Sequence, residues 1–455
     1  MATNKTLAQL KEQSAQSEAK TALLSLFDED SFTELSPFTG ESAVTGFGQI
    51  DSGLVYAFTQ DSAVKSGAVC KAAAAKIVKL YKEAVKNGAP VIAVYDSKGG
   101  DVSEGVELLS AYGEIAGAAA ALSGVAPQIA VVSGVCGGTS AILAAMADFV
   151  IMTEKAELFV TPPFVANDGT AGAGTAKNAA LSGVSCMTVK DKAEALKKAR
   201  ELVAILPQNN LEPAGNDYFS ITEQAADPSL KGEAMMKAIA DKDSLIELYA
   251  EFGKASYTAL GSLNWKTVGF VATNKTGDKL TADDSAKIAR FITLCDSFSI
   301  PVVTVVDSEG FEASSKAELA GSVRSNAKLA QAYAAATSPK IALVTGNALG
   351  GIYTAFCGTN ADLTVALEQA VIAPVTPKAA AVFLYGDQCN SKEELEKKAQ
   401  EYANAEASAV NALEKGAVDT VIEAEDIWNT LNNALEALSG KRVIAPARKH
   451  INFVY

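Results

Sequence analysis

The chain repeats itself once, and that repeat constrains its fold more than any other feature. PVIAVYDSKGG, from Pro90, returns as PVVTVVDSEGF, from Pro301; Pro90 and Pro301, like Asp96 and Asp307, lie 211 positions apart. PQIAVVSGVCGGTSAILAAMADFVIM, from Pro127, is echoed by PKIALVTGNALGGIYTAFCGTNADLTVAL, from Pro339. That offset is 212, and Gly134 with Gly346 and Gly138 with Gly350 keep it. Asp148 and Asp362 are 214 apart, so the second copy carries a two-residue insertion after its Gly pair. Solenoid repeats run to about 20–50 residues, so a unit of this length is a duplicated domain. At roughly 100–200 residues per domain, 455 residues hold two such copies. The boundary is expected between residues 222 and 223, in the Asp217–Ser229 stretch after the Pro- and Asn-rich PQNNLEPAGND, giving domains 1–222 and 223–455.

Both copies read as α/β. A turn-rich strand pair comes first: GFGQIDSGLVYAFTQD in copy one, TVGFVATNKTG in copy two. In Ala72–Lys86, Ile77, Leu80, Tyr81, Ala84 and Val85 share one helical face. The runs Val91–Tyr95 and Val302–Val306, then Ile129–Ser133 and Ile341–Thr345, are short and continuously apolar, the pattern of strands covered on both faces. Strands alternating with helices make a parallel-sheet fold. The segment Lys190–Asp217 contains a helix and then a linker-like stretch, Ser391–Glu414 is a surface-like acidic helical stretch, and a last helix covers Ala424–Leu438.

Composition removes several functions. The 39 Lys and Arg against 53 Asp and Glu leave a net charge of −14, the opposite of a nucleic-acid footprint. The six Cys form no CxxC pair, so neither a zinc ribbon nor a disulfide framework is expected. The first twenty residues are polar and lack a signal-peptide core, and no apolar run reaches about 18 residues; a cytoplasmic protein is expected. The single His, His450, lies in the tail RKHINFVY. That excludes multi-His metal sites within one chain, and most Ser–His and Cys–His machinery unless His450 itself serves. Chemistry must then come from backbone amides, carboxylates, Lys, Tyr or a borrowed cofactor.

The amides have an obvious place. Each second buried strand runs into a Gly turn that opens a helix: Val135-Cys136-Gly137-Gly138-Thr139 in copy one, Ala348-Leu349-Gly350-Gly351-Ile352 in copy two. Such a turn aims backbone N–H groups at one point, and the helix start adds partial positive charge. It can hold a developing oxyanion. The plainer role is close helix–strand packing. Asp96 and Asp307 end buried strands, where α/β folds collect ligands, or they cap the loop that follows. Glu104 and Glu114 read as solvated helix faces. Cys136 lacks a base to form thiolate and reads as packing.

At these residues the chain resembles the carboxyltransferase subunits of biotin-dependent acyl-CoA carboxylases and decarboxylases, the propionyl-CoA, methylmalonyl-CoA and glutaconyl-CoA types. The similar stretches include GFGQIDSGLVYAFTQD, GAPVIAVYDSKGGDVSEGVELLSAYGEI, SGVAPQIAVVSGVCGG, SIPVVTVVDSEGF, AGSVRSNAKLAQAYAAATSPKIALVTGNALGGIY and GAVDTVIEAEDI, in that order between about Leu26 and Asn452. The resemblance implies two tandem crotonase-like (ClpP/crotonase) domains and an active site at a dimer interface, in a homodimer or a trimer of dimers. It implies two oxyanion holes. One, at Gly138 and Thr139, takes the thioester oxygen of acyl-CoA; the other, at Gly350 and Gly351, takes the ureido oxygen of biotin. Substrate and biotin exchange the proton, so no His is needed.

Candidate cofactor-binding residues are Gly99, Gly100 and Gly137 in copy one, and Ala320, Gly321 and Arg324 in copy two. Lys65, Lys71 and Arg324 are candidates to offset the acidic surface where CoA phosphates bind. Ala234–Lys237 spells AMMK, but its Lys is displaced by one from a biotinylation site and lies on a helix. Biotin is therefore expected on a separate carrier protein, the biotin carboxyl carrier protein. The chain departs from the family at Thr139 (usually Gly), Lys98 (Gly), Asp101 (Arg), and Ser325 and Cys186 (both His). The resemblance points to the α subunit of a biotin-dependent decarboxylase, partnered by a membrane sodium-pump subunit. The alternatives are the β subunit of a carboxylase, partnered by a biotin carboxylase, and a non-catalytic acyl-CoA-binding relative.

Overall fold

The structure, a computed structural model, describes residues 6, 8, 17–38, 40, 42–166, 172–213, 215, 219–221, 227, 229–444, 446–447 and 452. His450 and the expected boundary at 222/223 lie outside the described residues. The chain divides into two compact units, Met1–Ala214 and Gly215–Tyr455.

In the first unit eight strands form one sheet: β1 (Thr33–Leu35), β2 (Ala43–Ile50), β3 (Gly53–Gln60), β4 (Val91–Ser97), β5 (Gln128–Gly137), β6 (Phe149–Thr153), β7 (Glu157–Phe159) and β8 (Met187–Val189). The order is β1-β2-β3-β4-β5-β6-β8, with β7 pairing β5 off that path. β2 and β3 form the expected antiparallel hairpin. Asp51 and Ser52 at its tip have φ of 48° and 67°, the left-handed pair that matches strand twist in a two-residue turn. From β3 onward the pairs are parallel. The principal helices are α1 (Lys71–Asn87), α2 (Val106–Leu122), α3 (Thr139–Ala145) and α4 (Lys192–Ile205). Ile77, Leu80, Tyr81 and Ala84 of α1 are buried as the helical period requires. Tyr81 and Tyr95 of β4 meet Phe58 of β3 edge-on.

The second unit repeats this plan with β9 (Ile246–Glu247), β10 (Tyr257–Leu263), β11 (Lys266–Ala272), β12 (Val302–Ser308), β13 (Lys340–Leu349), β14 (Leu363–Leu367), β15 (Val371–Ala373) and β16 (Thr420–Ile422). The order is β16-β14-β13-β12-β11-β10-β9, with β15 pairing β13. Its helices are α5 (Gly232–Ile239), α6 (Ala282–Ser297), α7 (Ser315–Leu319), α8 (Ser322–Ala335), α9 (Gly351–Phe356), α10 (Pro377–Tyr385), α11 (Lys392–Glu406), α12 (Ala409–Glu414) and α13 (Ile427–Leu438).

Two sequence expectations need correction, and a third is refined. The second hairpin is β10–β11, turning at Asn264 and Trp265, so TVGFVATNKTG supplies only its second strand and the loop beyond. The acidic stretch Ser391–Glu414 is helical as expected, divided into α11 and α12 where the Ser408 hydroxyl accepts from Asn411 N. PQNN is no free linker. Gln208 Nε2 donates to Leu54 O, Asn209 Nδ2 to Gly88 O at 3.1 Å, and Asn210 N to Val125 O at 2.9 Å.

One irregularity matters for the site. Tyr95 pairs Val132 and Ser97 pairs Cys136, so β5 bulges by two residues against β4. β12 and β13 show the same bulge between Val306–Val344 and Ser308–Ala348. Asp96 and Asp307 lie in it. A Cβ on Gly134 or Gly346 would sit inside the Asp carboxylate, so the pair requires glycine. Beyond the bulge β5 leaves β6 for β7, and β13 leaves β14 for β15. Bulges re-aim a strand in this way, and here they set up the Gly turns.

Candidate active site

Each turn is built in the same way. The Gly138 N–H donates to Phe159 O of β7 at 2.9 Å, and the Gly350 N–H to Ala373 O of β15 at 2.9 Å. Their amides are therefore taken, and their role is conformational. Gly138 has φ 66° and ψ −136°, and Gly350 has φ 50° and ψ −117°, a region only glycine enters without strain. The helix then begins at Thr139 or Gly351. Neither N–H has a partner among the described residues, as first-turn amides do not. α3 and α9 are only seven and six residues long, so the unpaired amides outweigh any macrodipole.

A second amide comes from the loop across the turn. In copy one the Ser97 hydroxyl accepts from Gly99 N and donates to Gly99 O; in copy two Ser308 does the same for Gly310. Val69 N donates to Gly99 O and Asp101 N to Val69 O, so the Gly100 N–H between them points away from Val69 and has no partner among the described residues. Leu280 holds Gly310 and Glu312 identically, leaving the Phe311 N–H. The loop lies against the turn: a Cβ on Gly137 would come within 3.1 Å of Lys98 O, and one on Gly351 within 3.1 Å of the Phe311 ring. Each unit thus presents two free N–H groups, Gly100 with Thr139 and Phe311 with Gly351. Two convergent donors are the requirement for holding an oxyanion. Phe311 was not among the sequence candidates, although its 211-position offset from Gly100 was available.

Gly99 and Gly137 shape the first turn. Ala320, Gly321 and Arg324 form the α7–α8 junction. There Gly321 has φ 90° and the Arg324 guanidinium lies over it. Lys65 is paired with Asp101 at 2.7 Å and Lys71 with Glu107 at 3.2 Å, so neither is a free cation for phosphate, whereas Arg324 makes no ion pair among the described residues. The Lys65 partner and the Ser103 hydroxyl and N–H hold the Asp101 carboxyl down to about 2. Glu104 accepts from Lys71 N at 2.6 Å and caps α1. Asp307 accepts from Asn347 N at 2.9 Å and from Asn274 Nδ2 at 3.1 Å, a brace on the bulge. Burial pushes the Cys136 thiol up to about 12, which keeps it inert. Among the described residues no group of His, Cys, Asp and Glu could hold a metal ion, and no helix is long and apolar enough to cross a membrane.

A cavity of about 530 Å³ opens beside the second turn, lined by Gly350, Tyr353, Thr354, Ala373, Pro374 and Tyr402 among others. It is large enough for a bicyclic ring and its arm.

Comparison with known proteins places the chain in a family. The carboxyl transferase domain model matches residues 22–453. Methylmalonyl-CoA decarboxylase subunit alpha of Veillonella parvula is 32% identical over 95% of this chain and 92% of its own. Propionyl-CoA carboxylase beta chain of Cereibacter sphaeroides is 33% identical over 94% of this chain and 91% of its own. The crystal structure of transcarboxylase 12S with hydrolysed methylmalonyl-coenzyme A bound superposes with a TM-score of 0.91 at 32% identity, covering 98% of this chain and 94% of that one.

Proposed function

The chain belongs to the carboxyl transferase family, and on that premise we propose that it moves a carboxyl group between an acyl-CoA and carrier-bound biotin, as the α subunit of a biotin-dependent acyl-CoA decarboxylase. The observation that carries this reading is the pair of free amides, present once in each copy. The Gly100 and Thr139 N–H groups receive the thioester oxygen. When the bond between the α-carbon and the carboxylate breaks, its electron pair moves onto that oxygen, and the two donors stabilise it. In known cases losing one such donor costs about 2.7–4 kcal/mol of barrier. The Phe311 and Gly351 N–H groups receive the ureido oxygen, and the cavity beside Gly350 holds the ring. Biotin, when bound, takes up the carboxyl group on a ureido nitrogen and releases the proton that replaces it.

Burial and the raised thiol make Cys136 a poor base, and Asp307 is engaged as a brace, which suits a reaction whose partners exchange the proton. Similarity to a decarboxylase α subunit over nearly the whole of both chains supports the decarboxylase direction; the equal likeness to a carboxylase β chain supports the reverse as a second reading. A biotin carboxyl carrier protein and a membrane subunit that consumes carboxybiotin complete the proposed system, with this chain on the cytoplasmic side. Exposed Val102, Val106, Leu109 and Ile142 on the elements flanking the first turn support a homo-oligomer.

The test is the purified chain with malonyl-, methylmalonyl- and glutaconyl-CoA and biotin or a biotinylated carrier, the decarboxylated thioester being followed by mass spectrometry. Biotin-dependent conversion of one ester is expected. Binding of CoA esters with no conversion of any would favour a non-catalytic relative.

A further inference from the structure

The two turns differ in one place that bears on which acyl group enters. In the second unit the helix starts at Gly351, and a Cβ there would point onto the Phe311 ring, 3.1 and 3.4 Å from its edge carbons. In the first unit the helix starts at Thr139, and the residue across the turn is Gly100. The backbone is the same in both. The carbonyl lock on Gly138 and Gly350, the bulge and the turn dihedrals all repeat. By the same backbone course, the Thr139 Cβ is directed across its turn toward Gly100, as a Cβ on Gly351 would be toward Phe311. A Cβ on Gly100 would meet Leu108, so Leu108 occupies the side-chain position that Phe311 takes in the second unit. Thr139 is solvent-exposed, its hydroxyl has no partner among the described residues, and buried Ser140, bonded to Tyr112 at 3.1 Å, fixes its orientation.

Resting on the carboxyltransferase reading, we propose that Thr139 is a specificity-determining residue: its branched side chain stands beside the thioester oxygen and limits the acyl-CoA to a hydrogen or methyl substituent on the α-carbon. One methylene in a packed site is worth about 10–200-fold in discrimination, so the effect is measurable.

The experiment compares methylmalonyl-CoA with ethylmalonyl-CoA in the wild type, Thr139→Gly, Thr139→Ser and Thr139→Val, reading both kcat/KM and the dissociation constant by calorimetry. The wild type is expected to favour methylmalonyl-CoA by about tenfold or more. Thr139→Gly brings the ratio below about threefold, Thr139→Ser falls between, and the isosteric Thr139→Val keeps the wild-type ratio. An unchanged ratio in both Thr139→Gly and Thr139→Ser overturns the proposal, as does loss of the ratio in Thr139→Val, which would make the hydroxyl the determinant. If Thr139→Gly does not fold, Thr139→Ser and Thr139→Val decide. Binding without turnover in the wild type would sink the carboxyltransferase reading alone, since the ratio of dissociation constants still tests Thr139. Failure to bind either ester would sink both.

Discussion

The two Gly turns share a backbone and exchange their side chains. In the first unit Leu108 is buried against Gly100; in the second its counterpart 211 positions on, Leu319, is 91% exposed and Phe311 stands in the turn. A large residue on the loop goes with glycine at the helix start, and glycine on the loop goes with threonine. Bulk has been moved around a fixed pair of amides. The donors are main-chain groups that duplication copied with the fold, while the walls are side chains that changed independently. One backbone device can therefore serve two different oxygens.

The largest effect expected from this comparison is on catalysis. Gly350→Val places a Cβ 2.8 Å from Pro374 O at φ 50°, and carboxyl transfer should fall by about 10²–10³-fold while acyl-CoA binding stays intact in calorimetry. At Gly138 a Cβ meets nothing within 4 Å, so Gly138→Val acts through strain alone, about 1–3 kcal/mol, and should weaken the acyl-CoA side. Equal loss of both activities in Gly350→Val would break the division between the turns.

The leucines test the exchange of walls. Leu108→Ala should cost about 2–4 kcal/mol in denaturant unfolding of the first unit, whereas Leu319→Ala should stay within about 0.5 kcal/mol in a monomeric sample. A large loss at Leu319 in the assembled protein alone would show that an oligomer contact covers it.

A buried lysine also occurs at the same place in each copy, 211 positions apart: Lys76 donates to Ala43 O at 2.7 Å, and Lys287 to Gly253 O and Ser256 O. Burial pushes Lys287 down to about 8. Its folded value lies below the unfolded one near 10.5, so the unfolded state binds more protons between those values and stability rises with pH across that window. At about 1.36 kcal/mol per unit the gain is at most about 3 kcal/mol. Below pH 8 both states are protonated and the full cost remains. The unfolding free energy of the wild type should therefore climb from pH 8 to pH 10 relative to Lys287→Met, and a flat difference would refute it. The neutral amine still offers two N–H donors to its two carbonyls.

Gly134→Ala should cost about 1–3 kcal/mol through overpacking, measured as a lowered unfolding midpoint, and Asp96→Ala should rescue it. Gly346→Ala should be rescued poorly by Asp307→Ala, because Asp307 also accepts from Asn347 and Asn274. The smallest effect is expected at Lys65→Ala. It breaks an exposed pair with Asp101, and such pairs contribute little; the unfolding midpoint at pH 7 should be unchanged.

Much of this was legible in the chain. The repeat, the α/β alternation, the buried strands and the Gly turns all follow from local pattern, because apolar periodicity and glycine spacing report backbone conformation directly. Gly138, Thr139, Gly350 and Gly351 could be picked out as turn residues. Which of their amides are free could not, since that depends on Phe159 and Ala373, whose carbonyls reach Gly138 and Gly350 only through the off-path strands β7 and β15. Phe311 was missed because nothing local marks a phenylalanine's N–H as unpaired. The PQNN stretch read as a linker because Pro and Asn favour loops, and only the long-range bonds of Gln208, Asn209 and Asn210 to Leu54, Gly88 and Val125 make it part of the first unit.

What the residues dictate on their own is the duplication, the order of elements and the need for glycine where the chain turns from strand to helix, because these are matters of neighbouring dihedrals and of apolar spacing. The bulge that redirects β5 and β13, the locked Gly138 and Gly350 amides, the free donors opposite them and the side chain that walls each turn are settled by packing between segments far apart in the chain. A hydrogen bond or a van der Waals contact has no sequence separation of its own, so its partner is known only once the sheet has brought the strands together.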